Sequence, residues 1–174
     1  QRRAWIVESI MDALADDDAY DRLYYRRESE KTIKMELCRT LEDKVAHIYR
    51  ELPQYKSYKE ETIKEKAERS VGFESKKYTT VNNFVFMGVQ HRPDFMITID
   101  GLQIPAEIKC GEQGQSIRSG IGQSLVYAAE YDFVCYLFID TSQDKKIRNA
   151  FDDRKEAYLV ESLWDNYNVC FRVV

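Results

Sequence analysis

Apolar and polar positions alternate most regularly between residues 92 and 109, where the chain reads RPDFMITIDGLQIPAEIK. Asp100 and Gly101 suit a two-residue type I′ turn, because both central residues of that turn need positive φ. Side chains alternate between the two faces of a strand, so the pattern predicts a β-hairpin with one apolar face. That face contains Phe95, Ile97, Ile99, Leu102, Ile104, Ala106, Ile108 and Cys110.

The opposite face of this hairpin contains Asp94, Met96, Thr98, Gln103, Pro105, Glu107 and Lys109. The register predicts that Asp94 faces Glu107, although like charges directly across a strand pair are destabilising. A divalent cation between the two carboxylates would offset the repulsion, because hard cations favour carboxylate oxygens. Lys109 projects from the same face, so the three side chains form a candidate site for metal-assisted hydrolysis. The alternative is a polar face on which Lys109 neutralises Glu107. A one-residue slip would turn the apolar set away from the core, which favours the predicted register.

Helical periodicity dominates the first half of the chain. The spacing predicts a helix over residues 3–14 and a longer one over residues 30–52, which Pro53 ends. The apolar stripe of the longer helix contains Ile33, Leu37, Leu41, Val45, Ile48 and Leu52. The charged residues that follow predict a solvated helix to about Ser70 and then a turn at Gly72.

The second half reads as strands and helices in turn. A strand over residues 78–89, with a turn candidate at Asn82 and Asn83, precedes the central hairpin. A polar loop over 111–120, a helix from about 117 to 130 and a buried strand over 133–139 follow the hairpin. Residues 143–164 are predicted to be largely helical, and a final strand covers 168–174. The core order is therefore helix, strand, strand, strand, helix, strand.

Composition narrows the class of protein. A chain of 174 residues with 44% hydrophobic and 32% charged residues fits one globular domain. No apolar run approaches the ~20 residues that span a bilayer, and the chain opens without a signal-peptide pattern, so we expect no membrane association. The four cysteines lack metal-ligand spacing, and three of them lie in apolar runs, which predicts reduced core thiols in an intracellular, cytoplasmic setting. The net charge of −4 counts weakly against nucleic-acid binding, because a local basic patch can outweigh it.

Several side chains outside the acid pair are candidates for substrate contact. His91 and Arg92 directly precede the hairpin, and Arg118 follows it in the polar loop. His91 would contact a phosphate or act as a base, or would simply begin a strand. Residues 20–27 (YDRLYYRR) are aromatic and basic, so they would either clamp a polynucleotide or pack between helices.

Three sequence elements together resemble the PD-(D/E)XK nuclease superfamily. Pro93-Asp94 begins the second core strand, Glu107-Ile108-Lys109 lies on the third, and Gln123 to Tyr127 form a Q-x-x-x-Y element on the next helix, similar to the RecB-like and restriction-endonuclease-like branches. The resemblance covers about residues 30–140. It implies an α/β fold with a restriction-endonuclease-like core, a central mixed β-sheet flanked by helices. One domain over residues 1–174 would add an N-terminal helix and a C-terminal helix and strand.

The resemblance also implies roles. Asp94, Glu107 and the backbone carbonyl of Ile108 would bind Mg²⁺ or Mn²⁺, and Lys109 would orient the attacking water and stabilise charge on the phosphate. Gln123 would help to position that lysine or water, with Tyr127 in support. A glutamate of the first core helix would complete the site, Glu36 for preference or Glu42. By analogy with viral cap-snatching nucleases, His47 is a further candidate ligand.

These residues predict a magnesium- or manganese-dependent nuclease of the restriction, repair or antiphage type, with DNA favoured over RNA as partner. Two alternatives stay open. The first is a catalytically silent nucleic-acid-binding or assembly module of the same fold. The second is an RNA-cleaving endonuclease domain of the cap-snatching type. One such site cuts one strand, so a homodimer or a partner domain is compatible with the expected activity.

Overall fold

The computed structural model describes residues 2–16, 20, 29–74, 76, 81 and 83–174. Its α-helices are α1 (Arg2–Leu14), α2 (Glu30–Glu51), α3 (Glu60–Ser70), α4 (Gly114–Glu130), α5 (Lys146–Asp152) and α6 (Ala157–Tyr167), and a 3₁₀ turn spans Pro53–Tyr55. Its strands are β1 (Val71–Phe73), β2 (Phe84–Phe86), β3 (Val89–His91), β4 (Phe95–Ile99), β5 (Leu102–Gly111), β6 (Val134–Asp140) and β7 (Val169–Val173).

Five strands form one mixed sheet in the order β1-β4-β5-β6-β7, and β2 and β3 form a separate hairpin. The β1–β4 and β4–β5 pairs are antiparallel, whereas β5–β6 and β6–β7 are parallel. The parallel β5–β6 pair needs a crossover, which α4 provides. The prediction of an α/β protein with a central mixed sheet flanked by helices is therefore confirmed.

The central hairpin has the predicted register, from Phe95 opposite Ala106 to Ile99 opposite Leu102. Asp100 and Gly101 both have positive φ, 53° and 80°, as a type I′ turn requires. The predicted apolar face packs in the core beside α1 and α2, with Cys110 partly buried at its end. The opposite face of the sheet packs in a second cluster with α4, α5 and α6.

The long helix α2 also follows its prediction. Ser29 caps it, because its side-chain oxygen accepts a hydrogen bond from the Thr32 amide at 3.2 Å. All six residues of the predicted stripe are buried. This helix lies against the apolar face of the sheet and so approaches the predicted site from behind.

Several predicted boundaries are wrong. Gly72 lies within β1, which pairs with β4, and is not a turn. The described part of the predicted strand at 78–89 is a hairpin that turns at Met87 and Gly88, not at Asn82 and Asn83. Helix α4 begins at Gly114, inside the predicted polar loop. The prediction that residues 143–164 are largely helical is confirmed, since α5 and most of α6 lie there. Residues 77–80 and 82 lie outside the described residues, as do 21–27 of the aromatic-basic segment.

The cysteines and the helices match the expected character. All four cysteines are free thiols, and Cys38, Cys135 and Cys170 are buried as predicted. Across the ranges that the structure describes, no helix combines the length and the apolar character needed to cross a bilayer.

Candidate active site

Asp94 lies one residue before β4, so the observed register places it opposite Glu107. Its Oδ2 accepts a hydrogen bond from the backbone amide of Ile108 at 2.8 Å. Its Oδ1 lies 2.6 Å from the Nζ of Lys34, which comes from α2. The structure therefore brings the predicted acid pair together and adds a lysine that the sequence reasoning missed.

Glu107 is the most unusual charge in the site. Its side chain is 3% exposed, and Oε1 lies 3.4 Å from the Nζ of Lys109. Oε2 is buried and has no hydrogen-bond partner among the described residues. Burial, followed by the charge of Asp94, raises the pKa of Glu107 from 4.5 to about 8. An additional cation beside this carboxyl would favour its ionised form.

Helix α4 covers the same face of the sheet and supplies the predicted Q-x-x-x-Y pair. The Gln123 Nε2 donates a hydrogen bond to the Tyr127 hydroxyl at 2.8 Å, as expected for residues four apart on a helix. Burial, followed by the negative charge of Glu107, raises the pKa of Tyr127. The sequence prediction that these side chains share a face with the acid pair is consistent with this electrostatic coupling.

Gly120 holds α4 close to the sheet. A Cβ at this position would lie 2.1 Å from the hydroxyl oxygen of Tyr136 on β6, which is far closer than real contacts allow. The Tyr136 hydroxyl donates a hydrogen bond to the carbonyl of Ile117, one turn earlier on α4, at 3.3 Å. Tyr136 is also the β6 residue opposite Glu107. The missing side chain at Gly120 thus sets how near α4 comes to the acid pair.

The β2–β3 hairpin covers the outer side of Tyr127. The Phe84 and His91 rings stack on each other with centroids 5.4 Å apart. Each ring also makes an edge contact with Tyr127, at 5.9 Å for Phe84 and 6.3 Å for His91. His91 is therefore near the site as predicted, but it contacts aromatic rings there. Arg92 is exposed and lies 3.4 Å from Glu74.

The contribution of α2 differs from the prediction. Glu30 and Lys34 are the residues of this helix that approach Asp94, with 3.8 Å between the Lys34 Nζ and the Glu30 carboxylate. Glu36 lies about 160° around the helix from Lys34, and its carboxylate is 3.7 Å from Arg39.

The other two candidates of this helix also have different neighbours. Glu42 lies about 12 Å along the axis from Lys34 and pairs with Lys76 at 2.6 Å. His47, about 20 Å along, pairs with Glu51 at 2.8 Å. The structure does not bring Glu36, Glu42 or His47 to the acid pair.

A helical projection contained the signal for Lys34. Glu30 and Lys34 precede Leu37 by seven and three residues, so all three share one face of α2. That face is the buried stripe, where an unpaired charge is costly. Burial would lower the pKa of Lys34, but the adjacent Asp94 carboxylate raises it on balance. The charged residues Glu30 and Lys34 lie within the apolar stripe of α2 and not beside it, and this position is the signal that they approach the acid pair.

The roles of the two remaining positions, the Ile108 carbonyl and Arg118, stay predictions. The Ile108 contact to Asp94 is made by its backbone amide, whereas the prediction concerns its carbonyl. Arg118 is exposed on the first half of α4. Neither observation assigns a role to these residues.

The donor set fits a hard divalent cation of the magnesium type. Such ions are commonly held by one or two carboxylates, with water and substrate phosphate completing the shell. Asp94 and Glu107 supply two carboxylates, and the unpartnered Oε2 of Glu107 is a free donor atom. A closed site would need more ligands, and no group of three or more His, Cys, Asp or Glu residues in the described part of the chain could hold a metal. The residues thus fit an open site that substrate would complete.

The geometry defines an α/β protein with a buried acid pair, two adjacent lysines and an aromatic cover. Comparison of the chain with protein-family models, with curated proteins and with solved structures finds no match.

Proposed function

We propose that the chain is a metal-dependent nuclease that hydrolyses phosphodiester bonds, with DNA favoured over RNA, on a restriction-endonuclease-like core. The observation that carries the proposal is the Glu107 carboxyl, whose Oε2 is buried without a hydrogen-bond partner among the described residues and whose pKa is raised by burial and by the charge of Asp94. The order of α2, β1, β4, β5, α4 and β6 along the chain is compatible with that core, although its first strand is β1 and not the predicted strand over 78–89, and α3 and the β2–β3 hairpin are additional elements.

A cation-binding role for the acid pair would offset the cost of placing two carboxylates opposite each other. A buried carboxylate is normally paired or hydrogen-bonded, because burial of an uncompensated charge is strongly unfavourable. Lys34 contacts Asp94, and Lys109 contacts Oε1 of Glu107. Oε2 of Glu107 has no hydrogen-bond partner among the described residues. A cation held by Asp94 and Glu107 would use that oxygen and relieve their repulsion.

The surrounding side chains match the needs of phosphodiester hydrolysis. A divalent cation held here would polarise the phosphoryl oxygen and lower the pKa of a water molecule. The Lys109 side chain is 35% exposed, so its ammonium can reach both the acid pair and a phosphate arriving from solvent. There it would stabilise the negative charge that develops on the phosphate oxygens.

Gln123 and Tyr127 fit a positioning role. Their mutual hydrogen bond fixes the tyrosine hydroxyl beside the acid pair, and the raised pKa of Tyr127 keeps that hydroxyl protonated. A protonated hydroxyl can donate a hydrogen bond to Glu107 or to a water molecule bound near it. The pair would therefore orient the attacking water without itself carrying charge.

The test is hydrolysis of plasmid DNA, single-stranded DNA and single-stranded RNA by the purified protein with Mg²⁺ or Mn²⁺ and with EDTA. We expect metal-dependent cleavage, which Asp94→Asn and Lys109→Ala each abolish. Asp153→Asn and Lys155→Ala are matched controls. These two residues also form an acid–lysine pair, with 3.3 Å between carboxylate and ammonium, but the pair is exposed and lies outside the site. Cleavage by Asp94→Asn at the wild-type rate would refute the site, and no cleavage of any substrate would refute the proposed activity.

A silent nucleic-acid-binding module is the second candidate, and one observation favours it. Lys34 already neutralises Asp94 at 2.6 Å, as a structural ion pair would. Titration calorimetry with Mn²⁺ separates the two functions. Binding that Glu107→Gln removes supports the nuclease, whereas DNA binding with no Mn²⁺ binding supports the module.

A further inference from the structure

The β2–β3 hairpin has an exposed apolar face that continues outward from the candidate site. Phe84 pairs with His91, and Phe86 pairs with Val89. Side chains two apart on a strand share a face, so these four residues lie on the same side of the hairpin. The inner pair contacts Tyr127, and Phe86 makes an edge contact with His91 at 6.3 Å. A row of rings therefore runs from the buried tyrosine to the hairpin tip.

The outer pair of this row is unusually exposed for its size. Phe86 is 48% exposed and Val89 is 56% exposed. Single apolar side chains on a surface are ordinary, but a contiguous group next to a functional site indicates an interaction surface. The turn holds the group in place, because Met87 and Gly88 have φ of 51° and 75°, as a tight hairpin turn requires.

We propose that the Phe86–Val89 face is a stacking platform for a base of the polynucleotide substrate within about five nucleotides of the cleaved phosphodiester. This inference rests on the proposed function. Aromatic side chains such as Phe86 bind nucleobases by stacking, and every base has a face that can stack; Val89 would extend the apolar surface beside the ring. Val89 precedes Asp94 by five residues, which limits their separation to about 17 Å. That distance spans about five nucleotide steps of a duplex strand.

The charge of residues 74–94, the segment that contains the hairpin, favours a nucleic-acid ligand. No aspartate or glutamate occurs between Glu74 and Asp94, although the chain has 30 of them in 174 residues. The same segment contains Lys77, Arg92 and Lys76, of which Lys76 is already paired with Glu42 at 2.6 Å. The Arg92–Glu74 contact of 3.4 Å is solvent-exposed, and exposed pairs of this kind contribute little stability. A phosphate could therefore replace Glu74 as the partner of Arg92.

The test is binding of a fluorescein-labelled single-stranded DNA in EDTA, measured by anisotropy with wild type and with Phe86→Thr/Val89→Thr. Threonine keeps the strand preference of both positions and removes the stacking surface. We expect affinity to fall about fivefold to 150-fold, which is the effect of losing one stacked base. Phe86→Tyr should retain wild-type affinity. Val85→Thr is the matched control, because Val85 is 63% exposed on the opposite face of the same hairpin.

A second measurement separates stacking from a general effect on the hairpin. A single abasic position is moved along the oligonucleotide, and wild type should lose affinity at one position only. The Phe86→Thr/Val89→Thr variant should be insensitive at that position. Equal affinity of the variant and wild type, or no position-dependent loss in wild type, overturns the platform while leaving metal-dependent cleavage intact. A variant that changes sedimentation instead of DNA affinity assigns the face to self-association and also overturns it. Absence of both binding and cleavage in wild type is the separate outcome that removes the proposed function.

Discussion

Two buried carboxylates on neighbouring strands have opposite environments. Asp140, at the end of β6, accepts hydrogen bonds from the amide and hydroxyl of Ser142 at 2.9 and 2.5 Å. It also accepts hydrogen bonds from the amides of Ile147 and Arg148, both at 2.9 Å, and so caps the first turn of α5. Burial would raise the pKa of Asp140, but these donors lower it on balance.

Glu107 is equally buried but lacks such donors. Its nearest cation is Lys109, and one of its oxygens has no hydrogen-bond partner within the described residues. Burial and the charge of Asp94 raise the pKa of Glu107, whereas the hydrogen-bond donors around Asp140 outweigh its burial. A carboxylate with a complete set of donors stabilises the fold, whereas one with a missing donor is available to a ligand. The comparison therefore identifies Asp140 as a structural acid and leaves Glu107 as the candidate for a functional one.

The largest expected effect comes from exchanging each acid for its amide. Glu107→Gln should reduce metal-dependent hydrolysis by about 10³-fold, because it removes a ligand of the cation. It should change the free energy of unfolding by less than about 1 kcal/mol, since an amide resembles the protonated acid.

Asp140→Asn should show the reverse. The amide nitrogen would face backbone N–H donors, so the free energy of unfolding should fall by about 2–3 kcal/mol. Activity at temperatures where the variant is folded should stay near wild type. Denaturant unfolding and cleavage assays on both variants check this pair, and a Glu107→Gln variant that loses stability without losing activity would contradict it.

The pH dependence of stability should also differ between the two acids. Between pH 4.5 and about 8, the unfolded chain is ionised at Glu107 while the folded protein keeps the proton. The folded state binds more protons there, so the free energy of unfolding should fall, by a few kcal/mol at most, as pH rises through this window. For Asp140 the stabilisation is present above the ordinary pKa of 3.8 and is lost as pH falls below it. Urea unfolding measured across pH should show the fall in the free energy of unfolding between pH 4.5 and about 8 in wild type and not in Glu107→Gln. The same fall in that variant would show that other groups cause the pH dependence.

The close contact between Gly120 and Tyr136 sets the distance of α4 from Glu107 and can be tested by substitution. Gly120→Ala should destabilise the protein by about 1–3 kcal/mol, because the added methyl overlaps the Tyr136 hydroxyl. Gly122→Ala is the matched control, since a Cβ there has no neighbour within 4 Å. It should stabilise α4 by roughly 0.5–1 kcal/mol. Thermal unfolding of both variants checks the prediction, and equal melting temperatures would show that α4 tolerates a wider spacing.

The smallest expected effect concerns Lys34. Lys34→Gln should lower the free energy of unfolding of the metal-free protein by roughly 1–2 kcal/mol, because Asp94 loses a charged hydrogen bond. Added Mn²⁺ should restore part of that stability, since a ligand that binds only the folded state stabilises it. The exposed Lys31→Gln on the same helix is the control. A Lys34→Gln variant that Mn²⁺ fails to stabilise would contradict a shared role for lysine and cation at Asp94.

The central hairpin was predictable because two independent local signals agree. The turn residues Asp100 and Gly101 determine the loop, and the alternation of apolar residues determines which side faces the core. The Gln123–Tyr127 contact is also local, since it needs only helical spacing. These parts of the structure depend on residues close in sequence, so the sequence alone contains most of their determinants.

The parts that were missed depend on distant partners. Strand β1 has only three residues after a charged helix and is stabilised by pairing with β4. The turn at Met87 and Gly88 lacks the usual asparagine or aspartate before glycine. The Asn82–Asn83 pair has the commoner turn residues, so the sequence pattern predicts the turn there. Helical spacing places Lys34 on the buried stripe of α2, but its contact with Asp94 depends on how α2 packs on the sheet, which no local pattern specifies. The position of the acid pair was thus predictable, whereas the partner of Lys34 was not.

The separation of the site residues along the chain has a kinetic consequence. Asp94 and Glu107 are joined by one short hairpin, whereas Lys34 is 60 positions from Asp94. Short loops close at lower entropic cost than long ones, so the two acids should meet before α2 docks. During that interval their repulsion opposes hairpin formation. A divalent cation present during refolding should therefore speed the early phase in stopped-flow experiments, and more so in Lys34→Gln than in wild type.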